Sequence, residues 1–232
     1  MHLERAVCRG VSQCTELPNT PQSWDHRSPL PPPHWIHSQI EIFLIAVDEL
    51  ISGHMDTCHE IIHTLRAREF CEWYIEHGQN SGRFRAYALS YPKPQPAPES
   101  ERDVLRSPTR YQEEVFKRDG YRCRYCGTKL IAQQALKVII KKLGHQSFQK
   151  GPTNLTTHGI IHATWPVADH VVPWNLGGRT APSNLVSSCA SCNYGKANYT
   201  IEQLGLDSPW DFVPMKNHWN GLTSKISAID NA

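Results

Sequence analysis

Ala168-Asp-His-Val-Val-Pro-Trp174 sets an acid and a histidine side by side at the head of a short apolar run that stops at a proline. A plain buried strand gains nothing from such a pair, because polar side chains taken out of water need partners. Neighbours on a strand also face opposite ways. Both residues can serve one site only if a twist or bulge redirects one of them. After the apolar run, which should end the strand at Val171–Pro173, comes Asn175-Leu-Gly-Gly-Arg-Thr-Ala-Pro-Ser183, a loop by its glycines, asparagine and proline. Asn184-Leu-Val-Ser-Ser-Cys189 reads as a second short strand, and Asn193-Tyr-Gly-Lys196 can begin a helix. Thr200-Ile-Glu-Gln203 has the form of a capping box for one further turn, stopped by Gly205.

The second strand leads straight into Cys189-Ala-Ser-Cys192, and a matching Cys123-Arg-Tyr-Cys126 lies upstream. Zinc takes four soft ligands in a tetrahedron, and each CxxC turn presents two thiolates from one bend. The two knuckles are separated by 62 residues, too many for a compact ribbon, so an insertion lies between the halves of the site. The other four cysteines, Cys8, Cys14, Cys58 and Cys71, lack such spacing and read as buried free thiols.

The chain has 232 residues, 39% hydrophobic and 20% charged, which suits a globular protein. Its net charge of +2 is unevenly spread. Residues 1–98 carry 8 Lys and Arg against 11 Asp and Glu, a net −3, whereas residues 99–232 carry 16 against 11, a net +5. The second part is the better match for a polyanion. The start, MHLERAVCRG, has no apolar core of a signal peptide, and Ile40–Ile51 is interrupted by charges and too short to span a bilayer. The expected location is the cytoplasm, with no membrane partner.

Proline-rich stretches at 18–33 and 91–98 read as extended connectors. Between them the apolar periodicity predicts helices over 36–52, with Ile40, Phe43, Leu44, Val47 and Ile51 on one face, and over 56–77, with Cys58, Ile62, Leu65 and Trp73 on another. A hairpin this small cannot bury those stripes alone. It should dock on the second part, on a second copy in a homodimer, or on a partner protein. Further helices are expected at 109–119, capped by Ser107 or Thr109, and at 131–143, whose Lys137 and Lys141 are candidate nucleic-acid contacts.

From about Tyr111 to Leu206 the chain resembles the HNH endonucleases, a resemblance carried by Asp169-His-Val-Val-Pro-Trp-Asn-Leu-Gly-Gly178, Asn184-Leu-Val-Ser-Ser-Cys189 and Cys192-Asn-Tyr-Gly-Lys196. The resemblance implies an α+β fold: a ββα-metal core clamped by a four-cysteine zinc site, with an N-terminal α-helical accessory segment. Residues 1–98 would be that segment and residues 99–232 the nuclease domain. The resemblance further implies that His170 is the general base, that Asp169 and Asn193 hold a catalytic divalent ion, and that Asn184 braces the loop carrying the base. It also implies hydrolysis of DNA (RNA being possible) to leave a 5′-phosphate.

Elementary chemistry agrees with these roles. Phosphodiester hydrolysis needs a base near neutral pH, which histidine supplies. It also needs a cation on the phosphate. Asp and Asn oxygens suit Mg²⁺ or Mn²⁺. Asn193, read at a helix start, would stand where backbone N–H groups favour phosphate, and Lys196 and Arg179 are further phosphate contacts. Two other readings are open. One is a non-catalytic zinc-knuckle module that binds nucleic acid. The other is a zinc protease built on His59-Glu60-Ile-Ile-His63, which fits the HExxH pattern.

Overall fold

The computed structural model describes residues 24–78, 81–144, 147–214 and 218–232. Cys8 and Cys14 lie outside them. Strands β1 (Pro166–His170) and β2 (Leu185–Cys189) pair antiparallel, with Asp169 opposite Val186 and His170 opposite Leu185. Helix α8 (Ala190–Lys196) follows β2 without a loop. Strand β1 stops at His170, before the expected Val171–Pro173 end. The chain then turns through Trp174–Leu176 and Gly177, whose φ of +89° is the left-handed conformation glycine tolerates. The architecture is α+β, a two-stranded sheet among helices, consistent with a ββα-type core.

The remaining helices are α1 (Ile36–Ile51), α2 (Met55–Thr64), α3 (Ala67–Trp73), α4 (Ser81–Ala88), α5 (Gln112–Arg118), α6 (Gln133–Leu143), α7 (Gly159–Thr164) and α9 (Ile226–Asn231). The single helix expected over 56–77 is broken. Leu65 is extended, with ψ 138°, and its side chain is buried. The backbone N–H of Arg66, freed by the break, donates to Gln39 Oε1 on α1 at 2.8 Å. The α1 stripe is turned slightly from the expected one, burying Ala46 and Leu50 in place of Leu44 and Ile51. The helix expected from Thr109 begins as a tight turn at Pro108–Arg110, with Ser107 as its cap, and becomes α5 only at Gln112. The capping box after α8 forms reciprocally: Thr200 N–H donates to Gln203 Oε1 at 3.0 Å and Gln203 N–H to Thr200 Oγ1 at 3.3 Å.

One hydrophobic cluster contains residues from both sides of position 98. Leu30, Ile40, Phe43, Val47, Phe70 and Tyr74 pack in the same core as Phe116, Ile139, Phe148, Ile161, Val186 and Leu204. The apolar stripes of the first helices are therefore covered within the chain itself. Phe43 stacks on Phe148 with ring centres 5.0 Å apart. Helix α4 meets α8 so closely that a Cβ on Gly82 would stand 2.3 Å from the Gly195 carbonyl oxygen. A buried polar hub ties the core together. Asp119 accepts from Arg118 Nε and Nη2 at 2.9 Å, from Arg124 Nη1 at 3.1 Å and from the Ser187 N–H at 2.8 Å. Four hydrogen bonds, three of them from guanidinium groups, offset the cost of burying the Asp119 carboxylate.

Candidate active site and zinc centre

The two knuckles close on one another. Their four sulfurs, from Cys123, Cys126, Cys189 and Cys192, all lie within 4.8 Å of each other. The Cys126–Cys189 separation is 3.7 Å. A tetrahedron with zinc–sulfur bonds of about 2.3 Å has edges of about 3.8 Å, so the quartet fits zinc. Cys189 is the N-cap of α8 and its sulfur accepts from the Cys192 N–H at 3.4 Å; Cys123 does the same for Cys126 at 3.5 Å. The N-terminal part reaches this centre. Ser28 Oγ lies 3.4 Å from Cys192 Sγ. Arg85 on α4, fully buried, donates to the carbonyls of Asp25, Ser28 and Leu204 at 2.7, 2.9 and 3.1 Å. Burial holds the Arg85 guanidinium down at about 10, opposed by the negative charge of Asp25 and Cys192.

One layer away, Asp169 and His170 line a single open cleft of about 650 Å³ together with Asn193 and Lys196. Asp169 is buried, and its Oδ2 accepts from the Tyr125 hydroxyl at 2.7 Å and faces Lys196 Nζ at 3.4 Å. Burial raises its pKa, opposed by Lys196 and by the Tyr125 hydrogen bond. His170 is half-buried, with its Nε2 2.8 Å from Thr180 Oγ1. The Thr180 hydroxyl is itself committed, because it donates to the Leu105 carbonyl oxygen, which can only accept. Thr180 must therefore accept from His170 Nε2–H. That fixes the tautomer and leaves the Nδ1 lone pair free. Partial burial lowers the His170 pKa, with Lys196 adding to this and Asp169 and Asp103 opposing it.

Asn184 closes the loop between the strands. Its Oδ1 accepts from the Val172 N–H, and its Nδ2 donates to the carbonyls of Val172 and Arg179, each at 2.9 Å. The loop is tight enough that a Cβ on Gly178 would stand 1.8 Å from the Val172 carbonyl oxygen. Asn193 is half-buried at the cleft wall, but it is not at a helix start. α8 begins at Ala190, because the second knuckle is its first turn, so Asn193 sits a full turn inside.

Lys196 differs most from the sequence expectation. It is fully buried, with Nζ donating to the His170 carbonyl at 2.7 Å and paired to Asp169, so it is an internal brace and not an exposed phosphate contact. Arg179 is exposed and does not line the cleft. Lys141 is an exposed residue on α6 paired with Asp230 at 3.6 Å. Lys137 is also exposed on α6, close enough to Lys150 to help depress that ammonium's pKa.

Sequence reading passed over the strap at residues 94–108, which forms one wall of the cleft. It is tied to the loop by Ala97 N–H to the Asn175 carbonyl at 2.8 Å and by Trp174 Nε1–H to the Asp103 carbonyl at 2.8 Å. The Asp103 carboxylate accepts from the Thr180 and Leu105 N–H groups, both at 2.9 Å, and these bonds hold its pKa below the usual carboxylate range. Arg102 and Arg106 of the strap lie over the Trp174 ring at 5.6 and 5.2 Å and line the cleft. The available signal was the arginine density of Glu101-Arg-Asp-Val-Leu-Arg-Ser-Pro-Thr-Arg110 directly after a proline-rich connector.

The polar residues of the HExxH segment lie on the outer side of α2, with His59 half-buried and Glu60 and His63 exposed, while Ile62 between them is buried in the core. Among the described residues, the cysteine quartet is the only set of three or more His, Cys, Asp or Glu side chains gathered closely enough to hold a metal. Cys58 and Cys71 are buried free thiols, each pushed up to about 11 by burial.

A strand carrying an Asp–His pair, a braced loop, a second strand and a helix form a ββα-like arrangement joined at a cysteine quartet that could hold a metal ion. Residues 166–198, from the start of β1 to just beyond α8, match the family model described as HNH endonuclease. No curated protein and no solved structure matches the chain.

Proposed function

We propose that the protein is a metal-dependent HNH endonuclease that hydrolyses DNA phosphodiester bonds. The observation that carries this reading is the convergence of Asp169, His170 and Asn193 on one open cleft within the stretch that matches the family model. His170 Nδ1 takes a proton from water. Thr180 holds the ring in the tautomer that leaves Nδ1 able to do so. Asn184 fixes the loop between β1 and β2, so that the base keeps its position.

A divalent ion fits Asp169 and Asn193 by donor type: two hard oxygens, with Asp169 Oδ1 not engaged by Tyr125 or Lys196, and cleft space for water. Such an ion supplies charge for the phosphate and the departing oxygen. The zinc on Cys123, Cys126, Cys189 and Cys192 is structural, because four sulfurs close its coordination.

One observation favours the other reading, a nucleic-acid-binding module without catalysis: a buried ammonium, Lys196, already faces the proposed metal ligand. Incubation with supercoiled plasmid, with Mg²⁺, Mn²⁺ or chelator, separates the two. Metal-dependent conversion to nicked or linear DNA supports the nuclease. Tight binding without conversion in any metal supports the binding module.

A further inference from the structure

The cleft holding Asp169 and His170 does not end at Asn193. A second cleft of about 340 Å³ lies on its other side, and the two share Val167, Asn193 and Tyr194 as a common wall. Arg102 and Arg106 stand at the first cleft and Lys150 at the second. Asp169 is the single acidic residue lining either one, and Lys196 already faces it.

Two of these cations are also free of internal work. Arg106 and Lys150 are exposed and make no hydrogen bond or ion pair to the described residues. Each rests on an indole instead: Arg106 on Trp174 at 5.2 Å and Lys150 on Trp165 at 3.5 Å. Arg102 shares the Trp174 ring and spends only its Nε, on the Ala97 carbonyl at 2.8 Å. The adjacent carboxylate, Asp103, is taken by two backbone N–H groups and does not neutralise either arginine. Partial burial and the neighbouring Lys137 hold Lys150 below the usual lysine range, so positive charge is crowded on that side too. Like charges gathered without counter-ions favour an anionic ligand.

We propose that the two clefts form one track for the DNA backbone, in which Arg102 and Arg106 grip phosphates on one side of the reacting phosphodiester and Lys150 grips one on the other. This rests on the nuclease reading above. It assigns DNA contacts to a strap outside the stretch that matches the family model, and to a residue of the insertion between the knuckles. Aromatic backing restricts each cation to one orientation, so less side-chain freedom is lost on binding.

The test uses the full-length, zinc-loaded chain and a fluorescein-labelled DNA duplex. Binding is followed by anisotropy across a salt series, and plasmid cleavage is measured on the same preparations. Arg106→Gln and Lys150→Gln remove no hydrogen bond from the fold, and unchanged thermal unfolding verifies this. Each is expected to weaken binding several-fold and to lower the salt slope by about 1, with the pair together near 2. Arg102→Gln should add to the loss, while Arg68→Ala, on the exposed face of α3, should change nothing. If the wild type cleaves while the Arg106 and Lys150 variants match it in affinity, salt slope and cleavage, the track is wrong and the nuclease reading stands. If the wild type neither binds nor cleaves DNA, both fail together.

Discussion

The free nitrogen on His170 is set by Thr180 and Leu105, neither of which lines the cleft. Thr180 accepts from Nε2 because its own proton is committed to Leu105. Thr180→Val deletes this acceptor while keeping the shape, so the imidazole loses its preferred tautomer and its anchor. Cleavage is expected to fall by about one order of magnitude, a part of the roughly 10²–10⁴-fold that general-base catalysis contributes. Thr180→Ser should restore most of it. A Thr180→Val protein that cleaves at the wild-type rate would remove Thr180 from the site.

Another histidine, His158, is expected to contribute to acid lability. His158 caps α7 by accepting from the Ile160 N–H at 3.3 Å, which requires an unprotonated Nδ1. Burial, with a smaller contribution from His162, lowers its pKa from 6.5 to about 4. The unfolded chain therefore takes up this proton first. Stability falls as pH drops from 6.5 toward 4, and the effect is complete below that. Linkage bounds the loss at about 3 kcal/mol. His158→Asn, which can cap without titrating, should flatten the fall in urea midpoint between pH 7 and 5. An equal fall in the variant would assign the effect elsewhere.

Among the elements, the strand–loop–strand was legible because each part had a local signal: β-branched residues in both strands, glycines between them, and a knuckle at the joint. The second helix was misread because its apolar stripe runs on past Leu65. The break there depends on Gln39, a residue on another helix that receives the Arg66 N–H, and no local pattern reports that. Asn193 was placed at a helix start because CxxC was read as a separate knuckle, although here it is also the first helical turn.

Gly82 offers a sharp test of how α4 sits on α8. In an open helix, Gly→Ala stabilises by about 1 kcal/mol. Here the new Cβ would meet the Gly195 carbonyl oxygen at 2.3 Å and the Lys196 carbonyl oxygen at 3.2 Å. Overpacking of this kind costs about 1–3 kcal/mol, so Gly82→Ala should lower the thermal midpoint. A raised midpoint would contradict the packing. Replacing Cys189 should release the zinc, measured as about one ion per wild-type chain. It should also unfold the protein, because structural zinc supplies folding free energy.

At the scale of the whole molecule, the sequence divides at the second proline-rich stretch, but the packing does not. Ile40, Phe43 and Val47 share a core with Ile139, Phe148 and Ile161, and Arg85 donates to the carbonyl of Ser28, whose hydroxyl lies against Cys192 of the cysteine quartet. The apolar stripes that suggested a dimer or partner surface are covered inside the chain. A chain starting at Glu99 is therefore expected to be insoluble or unfolded, as judged by circular dichroism and light scattering. A soluble, zinc-loaded fragment with full activity would show two independent units. Beyond its arginine density, the strap was hard to read in the sequence for the same reason that the shared core was: its role lies in contacts made across the fold by residues of a largely irregular segment.

The central claim is that His170 is the base of a metal-dependent nuclease. Its most direct test is supercoiled plasmid cleavage by folded, zinc-loaded wild type and His170→Ala in Mg²⁺ or Mn²⁺, with DNA affinity measured in parallel. Cleavage by the variant is predicted to be about 10²–10⁴-fold slower with affinity nearly unchanged. Equal cleavage by the two proteins, or none by the wild type in either metal, would contradict the claim.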